Sequence, residues 1–424
     1  MWEVTLFIFM PTLFQINVTC NWGSTGRIAE EIGQVAISQG WNSYIAYGRG
    51  KPKSQSHLIR IGSDWDMYEH AIESRLFDNH GLASRGVTRN LIQQIKAIRP
   101  DVIHLHNIHG YFINYEILFD YLAKSGIPVV WTLHDCWTFT GHCSHFTIEG
   151  CYQWRDGECD HCKFKKSYPT SYVMNRAHRN FLAKKNAFTA LENVTMVPVS
   201  HWLEGLVKQS FLGCHQVQTI NNGINIHTFK PKENRDEVRK KMGIQQPYML
   251  IGVASIWGPN KGIHDFIKLR DALSSELYAI VLVGVDDKLA KTLPNGITVV
   301  KRTNSVDELA DIYSAADVLV NPTWQDTFPT TNLEALACGT PVVTYHTGGS
   351  PESLTSETGM VVEQGDISAL VSAIETICCK GKEHYSAACR QRAIDCYNKE
   401  DRYRDYIKLY EQLEKNEKKK DSNR

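Results

Sequence analysis

Two acidic residues eight positions apart, Asp326 and Glu334, stand in a stretch that could bind a nucleotide diphosphate. A predicted strand ends at Asn321, a polar loop carries Asp326, and residues 330–332 (Thr-Thr-Asn) predict the cap of a helix that begins near Leu333. Backbone N–H groups at a helix start favour anions such as a diphosphate. Glu334 could accept hydrogen bonds from two ribose hydroxyls, with Asp326 on the sugar side. Acidic residues are also common at helix starts for electrostatic reasons alone, so the pair needs support from elsewhere.

Histidines gather after two other predicted strands. His104, His106 and His109 lie near the first, and His134 follows the second beside Asp135. Three histidines so close together could indicate a metal site, but no carboxylate completes an obvious ligand set. For His104 and His106 the alternative is an ordinary core or loop histidine. We expect a functional role for His134.

A glycine loop, Gly23-Ser-Thr-Gly26, follows the first predicted strand and opens a helix at Arg27. Its backbone could approach a sugar or a phosphate closely. The loop lacks the six-residue dinucleotide fingerprint and its acidic ribose partner. Close packing of a helix on a strand is the alternative interpretation.

Five of the twelve cysteines fall within 27 positions, between Cys136 and Cys162. Cys159 and Cys162 form a CxxC pair, and Cys143 with Cys151 could complete a tetrahedral four-thiolate zinc site. The spacing fits no standard zinc finger. Free or redox-labile thiols in an irregular loop remain the other interpretation.

A basic and aromatic band follows the cysteines, between Lys163 and Lys185, and contains no acidic residue. Its cations are Lys163, Lys165, Lys166, Arg176, Arg179, Lys184 and Lys185, interleaved with Phe164, Tyr168, Tyr172 and Phe181. This composition suits a membrane interface that bears anionic lipid. A solvated helix face with its aromatic residues in the core is the alternative.

The elements that position these residues are short apolar runs alternating with helical patterns, which is typical of parallel sheets covered by helices. The predicted strands are 13–18, 42–46, 102–105, 128–132, 195–199, 249–254, 278–283, 297–300, 318–321 and 341–344. They predict an α/β protein with two doubly wound, Rossmann-like domains facing across a cleft. We place the first domain at residues 1–225 with a Cys-rich insertion at 136–165, the second at 226–395, and at 396–424 a helix that returns to the first domain before a frayed polar tail. Ligands of such sheets collect at the carboxyl ends of the strands.

Composition excludes some classes of function. The 46 Lys and Arg residues balance the 46 Asp and Glu residues, whereas a general nucleic-acid coat needs an excess of positive charge. No apolar run approaches the length of about 20 residues that spans a bilayer. The start of the chain imitates a signal peptide but lacks a basic region and is interrupted by Pro11, Gln15 and Asn17. We therefore expect a cytoplasmic protein, peripheral on the membrane if the basic band binds lipid.

Several motifs together resemble one family. Asp326 to Glu334, continued by residues 335–343 and by Gly348-Gly-Ser-Pro-Glu352, resembles the donor-binding signature of retaining GT-B glycosyltransferases of family four. Gly23 to Ala29 is similar to the glycine loop of that family, Asn222-Gly-Ile224 to its interdomain turn, and Lys261-Gly262 to its phosphate-binding lysine. The resemblance extends over nearly the whole chain.

The resemblance implies transfer of a sugar from a nucleotide diphosphate sugar to a saccharide or lipid-linked saccharide, with retained configuration and no required metal cofactor. It implies roles for His134, Lys261 and Asp326 in catalysis. Lys261 would neutralise the leaving diphosphate, and Asp326 replaces the usual Glu. Ile256 replaces a usual Arg, so either another cation substitutes, with Arg302 and Arg27 as candidates, or the diphosphate is held less firmly. The remaining residues assigned to donor binding are Gly23, Gly26, Arg302, Thr330, Thr331, Asn332 and Glu334, with Arg27 and His109 on the acceptor side.

The resemblance also implies a mechanism without a protein nucleophile, in which the leaving phosphate takes the acceptor proton. Two alternatives remain at this stage: a nucleotide-sugar epimerase of the same fold, and a non-catalytic protein that binds nucleotide sugars.

Overall fold

The computed structural model describes residues 10–157, 159–160 and 162–422, which form two compact units. The first unit contains the described residues up to Val199, then Leu203–Ile220, and the chain from Tyr403 onward. The second contains Ser200–Trp202 and Asn221–Arg402. The units therefore divide at Ile220, five residues before the predicted boundary. The interpretation of residues 1–9 as a strand extension or an overlong start lies outside the described residues.

The first unit is a seven-stranded parallel sheet in the order β3-β2-β1-β4-β5-β6-β7. Its strands are β1 (Thr12–Thr19), β2 (Asn42–Arg49), β3 (His57–Arg60), β4 (Val102–Leu105), β5 (Val129–Leu133), β6 (Val194–Pro198) and β7 (Gln216–Val217). Its helices are α1 (Gly23–Ser38), α2 (Asp64–Phe77), α3 (Arg85–Ile98), α4 (Tyr115–Ser125), α5 (Ala177–Thr189) and α6 (His201–Gln209), whose first two residues belong to the second unit.

The second unit is a six-stranded parallel sheet in the order β10-β9-β8-β11-β12-β13. Its strands are β8 (Tyr248–Val253), β9 (Tyr278–Val283), β10 (Ile297–Val300), β11 (Val318–Asn321), β12 (Val342–Tyr345) and β13 (Gly359–Val362). Its helices are α7 (Arg235–Lys241), α8 (Ile263–Ala272), α9 (Asp287–Ala290), α10 (Val306–Ala315), α11 (Thr330–Ala337), α12 (Ile367–Lys380) and α13 (Lys382–Tyr397). Helix α14 (Lys399–Ser422) then runs into the first unit.

All ten predicted strands are present, within one to three residues at their ends. Three edge strands, β3, β7 and β13, were not predicted. They are only two to four residues long and only partly buried, and their apolar runs of at most three residues are too short to identify a buried parallel strand.

Helix α14 completes the core of the first unit. Its aromatic side chains Tyr403, Tyr406 and Tyr410 are buried in one cluster with Leu13 and Trp41. The Tyr410 hydroxyl lies 2.6 Å from His104 Nδ1, which ties the helix to β4. The prediction of a frayed tail is wrong for the described part of the chain, because α14 stays helical to Ser422.

Each sheet reverses its strand order at one point, between β1 and β4 in the first unit and between β8 and β11 in the second. The loops on either side of such a point diverge and leave a crevice at the carboxyl ends of the strands, where open α/β sheets bind ligands. Lys261 follows β8, and Asp326 and Glu334 follow β11. The glycine loop follows β1, and His109 follows β4.

The basic band is not one continuous surface. Lys184 and Phe181 are buried, and Arg179 hydrogen bonds to Asn79 and Asn180. Of the helices in the described ranges, none is both long and apolar enough to cross a membrane.

Candidate active site

An ion pair joins the two loops at the reversal point of the second sheet. Lys261 Nζ lies 2.6 Å from Asp326 Oδ2, and both side chains are partly exposed. The other carboxylate oxygen of Asp326 accepts a hydrogen bond from the Phe328 amide at 3.2 Å. A positive charge is thus held in place beside a carboxylate, and a bound anion would compete with Asp326 for Lys261.

The backbone around the pair is closely packed. A Cβ at Gly262 would lie 2.1 Å from the Pro322 carbonyl oxygen, and one at Gly348 would lie 1.8 Å from that of Asp326. The Asn260 carbonyl also accepts a hydrogen bond from the Trp324 amide at 2.9 Å. These contacts require glycine at both positions and fix the distance between the lysine loop and the aspartate loop.

Glu334 lies one turn into α11 and accepts a hydrogen bond from the Tyr313 hydroxyl at 2.7 Å. Burial and the Glu334 charge raise the pKa of Tyr313 well above its ordinary value, so the phenol stays protonated as a donor. The partner lies 21 residues earlier on α10. Nothing in the sequence singled out Tyr313, because the contact arises only when α10 packs on α11.

Helix α11 begins at Thr330, three residues before the predicted start, with Pro329 as its N-cap and no capping side chain. The predicted capping role of Thr330, Thr331 and Asn332 is therefore wrong. Proline fixes the extended conformation of the cap and leaves the first amides of the helix without a side-chain acceptor. Thr330 and Thr331 are half-buried at this end.

The Asn332 side chain is fully buried. Its amide nitrogen donates to Ser350 Oγ at 3.0 Å and Ser353 Oγ at 2.9 Å, and its oxygen accepts from Asn321 at 2.8 Å. These bonds engage both ends of the amide, so the side chain positions α11 against the Gly348–Glu352 segment rather than facing a ligand.

Ile256 occupies the position where the family that the sequence resembles usually has arginine, and it is 81% exposed. Arg302 is exposed in the loop after β10, two strands away from β8. The structure therefore does not bring Arg302 together with the Lys261–Asp326 pair.

In the first unit, the two glycines of the loop after β1 differ. A Cβ at Gly26 would lie 2.7 Å from Thr19 Oγ1, so Gly26 allows α1 to approach the end of β1. A Cβ at Gly23 would stand in open space, although its φ of +67° favours glycine. Arg27 is exposed on the first turns of α1.

His134 belongs to a relay of hydrogen bonds. Gln15 Nε2 donates to the Ala29 carbonyl, which leaves Gln15 Oε1 as the acceptor 3.0 Å from His106 Nε2. Burial lowers the pKa of His106 well below its ordinary value, so its single proton sits on Nε2. His106 Nδ1 can then only accept, and His134 Nε2 lies 3.4 Å from it.

The relay fixes the tautomer of His134. Burial lowers the pKa of His134 to about 4, against the opposing charge of Asp135. The neutral ring therefore carries its proton on Nε2, the nitrogen that faces His106.

His109 forms a second pair beside this relay. Its Nε2 lies 2.7 Å from Asp135 Oδ2, and its Nδ1 lies 3.1 Å from the Tyr168 hydroxyl. Burial alone would raise the pKa of Asp135, but the charge and hydrogen bond of His109 lower it to about 2. Sequence reasoning noted Asp135 only as a neighbour of His134. Its pairing with His109, from a different strand end, and the role of Tyr168 were missed.

All twelve cysteines are free thiols. Cys143, Cys151, Cys159 and Cys162 line one cavity of about 280 Å³. Within residues 10–157, 159–160 and 162–422, no three His, Cys, Asp or Glu side chains are already arranged to hold a metal ion. His104, His106 and His109 likewise form no metal centre, since their partners are Gln15, Tyr410, Thr132 and Asp135.

Comparison with family models gives two matches along the chain. Residues 25–228 match the model described as Glycosyltransferase Family 4. Residues 247–380 match the model described as Glycosyl transferases group 1.

Individual proteins give matches over most of the chain. The putative colanic acid biosynthesis glycosyl transferase WcaC of Escherichia coli K12 is 25% identical over 423 residues, covering 95% of this chain and all of that protein. Sucrose-phosphate synthase from Thermosynechococcus elongatus superposes with a TM-score of 0.68 at 18% identity, over 95% of this chain and 99% of its own. Anabaena HepE in complex with UDP-glucose superposes with a TM-score of 0.65 at 13% identity, over 95% of this chain and 99% of its own. At these identities the two structures show a shared fold.

Proposed function

The chain belongs to the glycosyltransferases of GT-B fold, with a family 4 region followed by a group 1 region. We propose that it moves a sugar from a nucleotide diphosphate sugar to a saccharide or lipid-linked saccharide with retained configuration. The observation that carries this proposal is the placement of Lys261, Asp326 and Glu334 after the two strands beside the reversal point of the second sheet. The UDP-glucose complex of HepE, which shares the fold, supports a nucleotide sugar as donor.

The three side chains match the three parts of such a donor. Glu334, held by Tyr313, suits the ribose hydroxyls, and the uncapped start of α11 suits the diphosphate. Lys261 would stabilise the negative charge that develops on the leaving phosphate, and a site without a nucleophile depends mainly on such electrostatic stabilisation for its rate enhancement. Asp326 would then exchange its bond with Lys261 for one with a sugar hydroxyl.

Thermal shift with a panel of nucleoside diphosphates and their sugars tests the donor site, because a ligand that binds only the folded state raises the melting temperature. We expect one base to stabilise the protein and Lys261→Ala and Glu334→Ala each to abolish the shift. Lys301→Ala removes the same charge from an exposed position in the second unit and should leave the shift intact. A full thermal shift in both site variants would contradict the proposed donor site.

Arg302→Ala belongs in the same panel, since Ile256 offers no cation. We expect an unchanged shift, because Arg302 follows the edge strand β10. A lost shift would identify Arg302 as the missing diphosphate ligand.

Transfer itself is tested with the stabilising nucleotide sugar and a screen of saccharide acceptors. We expect an acceptor-dependent glycoside whose anomeric configuration, read by NMR, equals that of the donor. Product that forms without acceptor would indicate an epimerase. Binding with no transfer to any acceptor would indicate a sensor, and an inverted anomer would overturn retention.

The name of WcaC supports synthesis of a surface polysaccharide such as capsule or exopolysaccharide, and we place the activity at the cytoplasmic side of the membrane. An exposed apolar stripe on α2 supports membrane docking. Trp65, Tyr68, Ile72 and Leu76 are 83, 67, 54 and 40% accessible and recur every three or four residues.

The stripe continues into the segment after the cysteines. The Tyr172 amide donates to the Arg75 carbonyl at 2.8 Å, and Tyr172 and Val173 are 61 and 62% accessible. Arg75, Lys163, Lys165 and Lys166 are the lysine and arginine residues of these two segments. Aromatic and aliphatic side chains flanked by cations fit an anionic lipid surface, where a lipid-linked acceptor would be presented.

Liposome flotation tests this docking. We expect the protein to float with vesicles that contain anionic lipid, and Trp65→Ser combined with Ile72→Ser to reduce the bound fraction. Leu277→Ser, at a comparably exposed apolar position in the second unit, serves as the control. Flotation that does not depend on anionic lipid would contradict the assignment.

A further inference from the structure

The cavity lined by Cys143, Cys151, Cys159 and Cys162 is built from a segment that the donor chemistry does not use. We propose that these four thiols bind one zinc ion, which fixes the segment between β5 and α5. The site lies within the first unit and is separate from Lys261, Asp326 and Glu334.

The sequence spacing leaves a zinc site and free thiols equally open, and the structure adds that the four side chains share one cavity. No three donors are arranged around a metal position in the described part of the chain. Zinc binding therefore requires the thiols to turn about their side-chain torsions.

A backbone amide is hydrogen-bonded to one of the four sulfurs, since the Gly141 amide donates to Cys159 Sγ at 3.2 Å. Such outer hydrogen bonds to ligand atoms orient and stabilise metal ligands.

His142 supplies an independent indication that the cavity holds a ligand. It lines the same cavity, its side chain is buried, and its Nε2 has no hydrogen-bond partner. Its Nδ1 is 2.8 Å from Asp78 Oδ1, and the other Asp78 oxygen accepts from the Arg176 amide at 2.7 Å. A buried nitrogen without a hydrogen-bond partner is destabilising, so its position on the cavity wall favours a ligand there.

Charge also favours an anionic centre here. Four thiolates around Zn²⁺ carry a net charge of about −2. Lys184 is buried and donates to the carbonyls of Trp137 and of Thr140, which lines the cavity, at 2.6 and 3.0 Å. A buried ammonium is costly without a negative partner, and a zinc–thiolate centre would provide one.

Metal analysis of the full chain, purified under reducing conditions without an affinity tag, tests the proposal. We expect about one zinc per chain, and a fall to background in Cys151→Ser and Cys162→Ser. Cys214→Ser and Cys379→Ser remove exposed thiols elsewhere and should retain the metal.

Cobalt substitution of the wild-type chain keeps the proposal testable if the variants fail to fold. Tetrahedral thiolate ligation predicts visible sulfur-to-cobalt absorption with one equivalent of Co²⁺. Substoichiometric metal that neither zinc nor cobalt titration restores would overturn the site. A disulfide between Cys159 and Cys162 in metal-free protein, mapped by mass spectrometry, would also overturn it in favour of a redox pair.

Discussion

At the scale of single residues, the proposed donor site contains charges that are partly compensated before any ligand binds. Lys261 already has a carboxylate partner, and Glu334 already has a hydroxyl donor. A diphosphate sugar would therefore exchange partners within a site of fixed geometry, which avoids the cost of ordering free side chains on binding.

Asp326→Asn should separate binding from turnover. Removing the carboxylate frees Lys261 and removes a negative charge near the diphosphate. The thermal shift with nucleoside diphosphate should be unchanged or larger, while transfer falls by about 100-fold, as when a group that stabilises the transition state is lost. Steady-state kinetics beside the shift assay measures both.

Asp326→Glu is the matched control, because it keeps the carboxylate and restores the residue usual in the family. We expect most of the transfer activity to remain. Equal loss in both variants would show that packing, rather than the carboxylate, is what the position requires.

Tyr313→Phe should weaken nucleotide binding through Glu334. Loss of one hydrogen bond to a charged group costs about 1.5–3 kcal/mol, so the Kd for the preferred nucleotide should rise by roughly 10- to 100-fold. Tyr115→Phe removes a buried hydroxyl that makes no hydrogen bond, and it should leave the Kd unchanged. Isothermal titration of the two variants decides, and equal affinities would exclude a positioning role for Tyr313.

At the scale of elements, a connected polar network joins β4 and β5 to helix α14. His104 donates from Nε2 to Thr132, Thr132 donates to Tyr406, and Tyr410 donates to His104 Nδ1. Helix α14 thus supplies partners to polar groups inside the first sheet as well as apolar surface over it. Each of these four side chains has a hydrogen-bond partner, which is the condition under which a buried polar network stabilises a fold.

Tyr410→Phe tests that connection. It keeps the ring but leaves the buried His104 Nδ1 without a donor, so we expect a loss of about 1–3 kcal/mol in unfolding free energy. Glu411→Ala, on the exposed side of the same helix, should stay within about 0.5 kcal/mol of wild type. Urea denaturation curves give both free energies of unfolding. An unchanged value for Tyr410→Phe would show that α14 is held by apolar contacts alone.

At the scale of the whole molecule, the histidines of the first unit set its response to acid. Burial lowers the pKa of His70 to about 3 and of His134 to about 4, and it lowers the pKa values of His80, His104 and His106 well below the ordinary range. In the unfolded chain the pKa of each of these rings is about 6.5. Between those limits the unfolded state binds more protons than the folded state, so stability falls as pH falls.

We therefore expect the melting temperature to drop between about pH 6.5 and pH 4, with each such histidine contributing up to about 1.4 kcal/mol per pH unit. His80→Phe should flatten this slope, because both ring nitrogens of His80 are buried without a hydrogen-bond partner. His227→Gln, an exposed substitution, should not change it. A pH-independent melting temperature in this range would contradict the assigned protonation states.

The sequence by itself determined the repeated strand–helix order, ten of the strands, and the segments that carry Lys261, Asp326 and Glu334. The spacing of apolar residues and the residue types that form turns are local properties, so they can be read directly from the sequence. Only the tertiary structure decided which distant groups meet: Tyr313 with Glu334, His109 with Asp135, and Tyr410 with His104.

The same distinction explains the errors. The cap of α11 depended on the backbone at Pro329, and the basic band ceased to be a surface because α5 turned Phe181 and Lys184 inward. The short edge strands β3, β7 and β13 depend on pairing with a neighbour for their existence. Contacts between residues tens or hundreds of positions apart follow from packing, and no local pattern in the chain encodes them.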